Sequence, residues 1–193
     1  MANKNNVLII VDMVNGFVNF GALADKKIDK ITPNIIKLID KSIEKDYPII
    51  AFRDAHSLDD EEFNVFPIHC LKGEPESDLI PQLVPYRDNF YEIEKNTTNG
   101  FITPEFEDIV KRISFDNVYV VGCCTDICVL NFVNSFLAFN KKYSRDTKIK
   151  VFEDACATFD GANHDAQEMH AKAIREMQNN GAIIISLNEK IKE

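Results

Sequence analysis

The feature that most constrains this chain is the unbroken apolar run Val7-Leu8-Ile9-Ile10-Val11. It is too short for a helix and has no polar alternation, so it suits a strand covered on both faces, as in a parallel sheet between helix layers. Comparable stretches recur, and strands are predicted at Asn6–Asp12, Pro48–Arg53, Phe90–Glu94, Asn117–Gly122, Lys148–Phe152 and Ala182–Ser186. Helical patterns separate most of them. Thr32-Pro33 reads as an N-cap and first helical position, with Ile35, Ile36, Ile39 and Ile43 recurring at helical spacing until about Asp46. Thr103-Pro104-Glu105 repeats that start signal for a helix to about Ile113. A third helix is predicted from Thr125-Asp126, its buried stripe formed by Val129, Phe132, Val133, Phe136 and Leu137. A fourth, Asp165–Gln178, is closed by Asn180-Gly181. Residues 57–88, rich in acids, prolines and turn formers, form a long loop region.

Parallel neighbours need crossover connections, so the predicted fold class is α/β: three α/β/α layers, with a mostly parallel six-stranded sheet and helices on both faces. No repeat or linker divides the chain, and its 193 residues fit a single domain, 1–193. Ligands of such sheets gather beyond the carboxyl ends of the strands. Asp12, Asp54, Lys95 and Cys128 all follow predicted strands, so four reactive side chains from distant sequence meet at one edge.

Charge and composition narrow the partners. With 22 Lys and Arg against 31 Asp and Glu, the net charge of −9 would repel a phosphate backbone, and no nucleic-acid partner is expected. No apolar run approaches the roughly 18–20 residues needed to cross a bilayer. Met1–Asn6 shows no leader pattern, so the expected location is cytoplasmic, without a membrane partner. Five cysteines, an odd number without a regular framework, are expected to remain thiols there.

Several residues suggest chemistry, and position alone leaves each open. Cys128 lies near a predicted helix N-terminus, where the dipole would favour a thiolate; a small core residue is the plain alternative. Asp12 ends an apolar strand, where a carboxylate needs a partner or a task, unless it merely forms a turn. Lys95 would stabilise an anion or simply be solvated. Asp54, His56 and His69, with Asp59, Asp60, Glu61 and Glu62 between the histidines, suit a Zn, Mn or Fe centre or a solvated acidic loop. His164 and His170, around the last helix, read as ordinary helix-entry or helix-face residues, and Cys124 and Cys128 are one residue too far apart for the usual redox motif.

The segment Gly122-Cys123-Cys124-Thr125-Asp126-Ile127-Cys128-Val129 resembles the nucleophile motif of the isochorismatase-like cysteine hydrolases, and within them is most similar to nicotinamidases. The likeness spans almost the whole chain: Asp12 with Phe17, then Asp54-Ala55-His56, His69, Lys95 and the cysteine motif occur in the family's order. It implies a catalytic triad of Asp12, Lys95 and Cys128 and an oxyanion hole from the backbone N–H groups of Cys124 and Cys128. A non-proline cis peptide between Cys123 and Cys124 is implied as well. It also implies a divalent metal ion, Zn2+ or alternatively Mn2+ or Fe2+, on Asp54, His56, Glu62 and His69, with Phe17 lining the ring pocket. The expected reaction is hydrolysis of a small-molecule amide, nicotinamide first, through a Cys128 thioester. Ureido or carbamoyl compounds, isochorismate and a non-catalytic binding module are the alternatives, and a homo-oligomer is expected. Three departures stand out. Val14 occupies a position where many relatives have Gln, and Cys124 stands where a small residue is usual. The chain has no Trp to stack on a substrate ring, leaving Phe66 or Phe101 as substitutes.

Overall fold

The computed structural model describes residues 5–187. The ends of the expected domain, residues 1–4 and 188–193, lie outside the described residues, as does most of the Met1–Asn6 segment. The order of elements is β1 (Asn6–Val11), α1 (Asn15–Val18), α2 (Thr32–Glu44), β2 (Ile49–Asp54), β3 (Phe90–Lys95), α3 (Pro104–Arg112), β4 (Asn117–Cys123), α4 (Leu130–Tyr143), β5 (Lys148–Ala157), α5 (Ala166–Asn180) and β6 (Ile183–Ile185).

The six strands form one sheet in the order β3-β2-β1-β4-β5-β6, and every adjacent pair is parallel. The alternation of β1 divides the interior. Val7, Ile9 and Val11 face a core completed by Phe106 and Val110 of α3, Phe132, Val133 and Phe136 of α4, and Ala173, Ile174 and Met177 of α5. Leu8 and Ile10 face the other core, with Ile35, Leu38 and Ile39 of α2 and Ile80 and Leu83 from the long loop. Successive strand residues therefore bury opposite faces, which is why the run that starts the chain is wholly apolar. No helix among the described residues is long and apolar enough to cross a membrane.

The order of strands turns around β1. The chain builds outward through β2 and β3, then returns to place β4 on the other side of β1. Such a reversal opens a crevice beyond the strand ends, here between the exits of β1 and β4. Asp12 leaves one of those exits and the cysteine segment leaves the other.

Several boundaries differ from those predicted. Thr32 is inside α2 rather than its cap, because a 3-10 helix, Lys26–Ile31, runs directly into it; the side-chain cap lies upstream, where Asp25 accepts from the Lys27 N–H. Leu38, not Ile43, completes the buried stripe of α2, and Ile43 is exposed. Thr103 caps α3 as expected. Strand β5 continues to Ala157, past the predicted stop at Phe152. The charged Glu153-Asp154 pair is tolerated because the β4–β5 register shifts between Val120 and Gly122, and Asp154 accepts from Ser186 Oγ and the Leu187 N–H. At Gly122, φ is 120°, and an added Cβ would run into the Val11 carbonyl, so only glycine lets β4 pass this close to β1.

Candidate active site

The strand ends bring the reactive side chains together. Asp54 and Lys95 are register partners on β2 and β3, so their side chains leave adjacent strands at the same level. The Lys95 ammonium is 2.7 Å from Asp54 Oδ1 and 2.8 Å from Asp12 Oδ2, and it donates to the Thr97 carbonyl at 3.0 Å. Cys128 Sγ lies 3.9 Å from the same nitrogen. All four side chains are buried, so the lysine is a charge balanced by two carboxylates rather than a solvated surface group.

Burial raises the Asp12 carboxyl from its ordinary value to about 6, with Lys95 opposing the rise and Asp54 adding to it. Burial also pushes the Cys128 thiol well up, with Asp12 and Asp54 adding to the effect and Lys95 opposing it. The resting sulfur is therefore a thiol beside a carboxylate, not the standing thiolate that a helix dipole would favour. The local backbone explains the difference: Cys128 lies in a π-helical turn, Thr125–Val129, ahead of α4, in a dry interior where burial outweighs the dipole. Burial disfavours ionised Asp54 and Lys95 too. The Lys95 charge and hydrogen bonds from His56 and His69 nevertheless hold Asp54 well below the usual carboxylate range, while Asp12 and Asp54 hold Lys95 well above its ordinary value. The peptide between Cys123 and Cys124 is cis, the form implied by the cysteine motif.

Asp54 also faces a second cluster. Its Oδ2 lies 3.0 Å from both His56 Nε2 and His69 Nε2, and Glu62 Oε1 lies 3.8 and 3.9 Å from those nitrogens. One donor atom from each of Asp54, His56, Glu62 and His69 falls within 4.8 Å of the others. The remaining imidazole nitrogens are already engaged: His56 Nδ1 with Asp60 Oδ2 at 3.1 Å, and His69 Nδ1 with the Pro67 carbonyl at 2.8 Å. Both outer contacts fix the rings with Nε2 directed into the cluster, where an ion would replace the Nε2 proton, the arrangement that orients histidines on a metal. Two imidazoles and two carboxylates suit a divalent ion such as Zn2+, so the residues fit the metal that the motifs imply.

A cavity of about 320 Å3 connects both clusters to the surface and is lined by Phe17, Phe66, Phe159, Ile127, Cys124 and Cys128, with Asp54, Glu62 and His69 among its polar lining. Phe17 is therefore where the motifs imply, its ring 5.7 Å from that of His69. Of the two aromatic substitutes for tryptophan, Phe66 lines the cavity. Phe101 does not: it packs in the core against Phe106, Phe132, Phe136 and Phe139, because the 3-10 turn that carries it faces α4. Val14 is fully buried and forms an isolated bridge with Leu79, so this position packs the loop rather than hydrogen-bonding in the site.

The two histidines read as ordinary helix residues have more specific contacts. His170 Nδ1 meets Thr125 Oγ1 at 2.9 Å, and His164 Nε2 meets Asp126 Oδ2 at 2.6 Å, both within the turn that carries Cys128. Phe159, absent from the sequence-derived candidates, forms part of the cavity wall. Its only sequence signal is an aromatic residue a short way beyond a strand end.

The isochorismatase domain model matches residues 6–189. The chain is 33% identical over 179 residues to nicotinamidase 1 of Arabidopsis thaliana, an alignment covering 84% of this chain and 73% of that one. The crystal structure of nicotinamidase PncA from Bacillus subtilis superposes with a TM-score of 0.80 at 26% identity, covering 95% of this chain and all of that one. N-carbamoylsarcosine amidase from Thermoplasma acidophilum gives 0.78 at 26% identity, with 95% and 96% covered. With its six parallel strands and the ordered motifs from Asp12 to Cys128, the chain belongs to the isochorismatase family.

Proposed function

We propose that this protein is a cysteine amidohydrolase that converts nicotinamide and water to nicotinate and ammonia. The observation that carries the reading is the placement of one buried ammonium, Lys95, within 2.8 Å of Asp12, 2.7 Å of Asp54 and 3.9 Å of Cys128 Sγ, beside an aromatic-lined cavity. The similarity to nicotinamidases favours the substrate. The cavity lining favours it too: among the described residues it includes no Lys or Arg side chain that would receive the carboxylate of a carbamoyl amino acid.

In this reading Asp12, ionised above about 6, takes the Cys128 proton as sulfur attacks the carboxamide carbon. Lys95 stabilises the sulfur anion as it forms, so a resting thiolate is not required. The backbone N–H groups of Cys124 and Cys128 receive the oxyanion. Protonated Asp12 then gives its proton to the departing nitrogen, and ammonia leaves a Cys128 thioester. A water that transfers a proton to Asp12 attacks that thioester, releases nicotinate and restores the thiol. Phe17 and Phe66 confine the ring and exclude water. A divalent ion on Asp54, His56, Glu62 and His69, with Zn2+, Mn2+ and Fe2+ all suited to these donors, would supply a Lewis-acid anchor for the pyridine nitrogen.

The test is to incubate metal-replete protein with nicotinamide and measure ammonia and nicotinate together. Equal formation of both products, abolished in Cys128→Ala and weakened in Asp54→Ala, supports the reading. Absence of product with metal bound overturns it and directs the same assay to other small amides.

A further inference from the structure

The loop between β5 and α5 is anchored to the turn that carries the nucleophile. Phe159 and Gly161 line the cavity, and Gly161 and His164 exchange backbone hydrogen bonds of 2.8 and 3.1 Å that close a tight turn between them. The His164 ring lies flat against Phe159, with centroids 3.9 Å apart and planes only 6° from parallel. Its Nδ1 faces the Phe159 carbonyl at 3.0 Å, and its Nε2 faces Asp126 Oδ2 at 2.6 Å. Asp126 stands two residues before Cys128, its side chain only 7% exposed.

Both partners of the imidazole are oxygen acceptors, a carbonyl and a carboxylate. The ring is therefore tied at both nitrogens, one to each side of the strut, which fixes its plane. The flat ring then lies on Phe159 while its edge is tied to Asp126, so the stack is held in one orientation. Phe159 thereby becomes a wall fixed to the nucleophile turn, where a loop phenylalanine held only by packing would retain its freedom to swing.

We infer that His164 is a positioning residue that fixes Phe159 as an aromatic wall of the cavity and thereby sets a preference for ring-bearing amides. The inference rests on the amidohydrolase reading for its substrate, but not for its geometry. His164 does not touch the reacting atoms; it acts through Phe159 and Asp126. Loss of the strut should therefore weaken retention of a ring while leaving the chemistry of a bound amide nearly intact.

The experiment compares nicotinamide with the ringless amide propionamide in the metal-replete wild type, His164→Ala, His164→Arg and Asp126→Asn, with thermal melting as a check of folding. In His164→Ala the nicotinamide KM should rise by about tenfold with kcat within about threefold, the split expected when ground-state positioning is lost. Propionamide turnover should barely change. His164→Arg should recover most of the lost affinity, because a guanidinium is planar, charged and able to donate to both oxygens. Asp126→Asn combined with His164→Ala should cost no more than His164→Ala alone, as expected for two parts of one strut. Equal losses on both amides, an unchanged KM, or failure of arginine to restore it would overturn the assignment.

A readout independent of turnover separates this failure from failure of the nicotinamidase reading. Alkylation of Cys128 by iodoacetamide and by its N-phenyl derivative, located by peptide mass, should favour the phenyl reagent in the wild type and lose that preference in His164→Ala. If wild-type protein leaves nicotinamide intact but shows this change, the strut stands and the substrate assignment falls. If the preference is the same in both proteins, the strut falls whatever the substrate.

Discussion

The site has two halves built by different means. Asp12, Asp54, Lys95 and Cys128 leave β1, β2, β3 and the turn after β4, where ladder pairing and dry packing set their positions. His56, Glu62 and His69 belong to the long segment after β2, which side-chain and loop contacts hold: His56 N–H to the Cys70 carbonyl, Lys72 N–H to the His56 carbonyl, and the imidazoles to Asp60 and Pro67. Asp54 joins the halves, offering Oδ1 to Lys95 and Oδ2 to the histidines. Rigid strand ends suit bond making, which tolerates little displacement, while a loop can change what is recognised without disturbing the sheet. Lesions of the strand half should lower kcat, and lesions of the loop half should act on metal retention and KM.

The largest effect expected is on the strand side. Cys128→Ala removes the attacking atom and should lower kcat by at least about a thousandfold, because no other group can form the thioester. Metal content measured by mass spectrometry should stay near that of the wild type. Loss of metal together with turnover would show that the halves are not separable.

Lys95→Met attacks the point where the halves meet. It leaves Asp12 and Asp54 facing each other in a dry site without their shared cation, so stability should fall by about 3–5 kcal/mol as well as activity. Denaturant unfolding would show this as an earlier midpoint. A neutral effect on stability would mean that water reaches the pair and that the burial argument is wrong.

The same contrast explains what was legible in the sequence. An apolar run followed by a charged residue betrays a strand end, as at Asp12 and Asp54, and Lys95 and Cys128 could be added to the same sheet edge because each follows a further predicted strand. The ordered motifs then implied their roles and extended the set to Glu62. Periodicity did not reveal the bridging of Asp54 between Lys95 and the histidines, because a register pairing such as Asp54 with Lys95 is a long-range fact. The extension of β5 was hidden by Glu153-Asp154, whose Asp154 charge is satisfied by the Ser186-Leu187 end of the chain. Phe66 and Phe101 look alike in sequence, and only the direction their turns face separates a cavity wall from a core ring. His164 and His170 read as helix residues because their partners, Asp126 and Thr125, lie about forty residues away.

The pH dependence tests the strand half without a mutation. Asp12 must be ionised to accept the thiol proton, and burial raises it to about 6, so kcat/KM should be full above that value and fall about tenfold for each unit of pH below it. Rate profiles measured with metal in excess would keep loss of the ion at low pH from mimicking the effect. A midpoint near the ordinary carboxylate value of 3.8 would mean that Asp12 is solvated or is not the base.

The smallest effect expected belongs to the loop half, one contact away from the metal donors. Asp60 accepts from the Ser57 N–H at 2.9 Å and the Asn96 side chain at 3.0 Å, and its Oδ2 lies 3.1 Å from His56 Nδ1. It therefore fixes both the start of the loop and the ring orientation that points His56 Nε2 inward. Asp60→Ala should weaken metal affinity by about tenfold, the lower end for losing such an orienting partner. Turnover at saturating metal should remain close to wild type, since Asp12, Lys95 and Cys128 are untouched. Chelator competition followed by assays with and without added metal would separate the two effects. Restoration of turnover by added metal would place Asp60 wholly on the recognition side. A loss of kcat that metal cannot restore would mean that displacement of His56 is transmitted through Asp54 to Lys95, and that the two halves move as one.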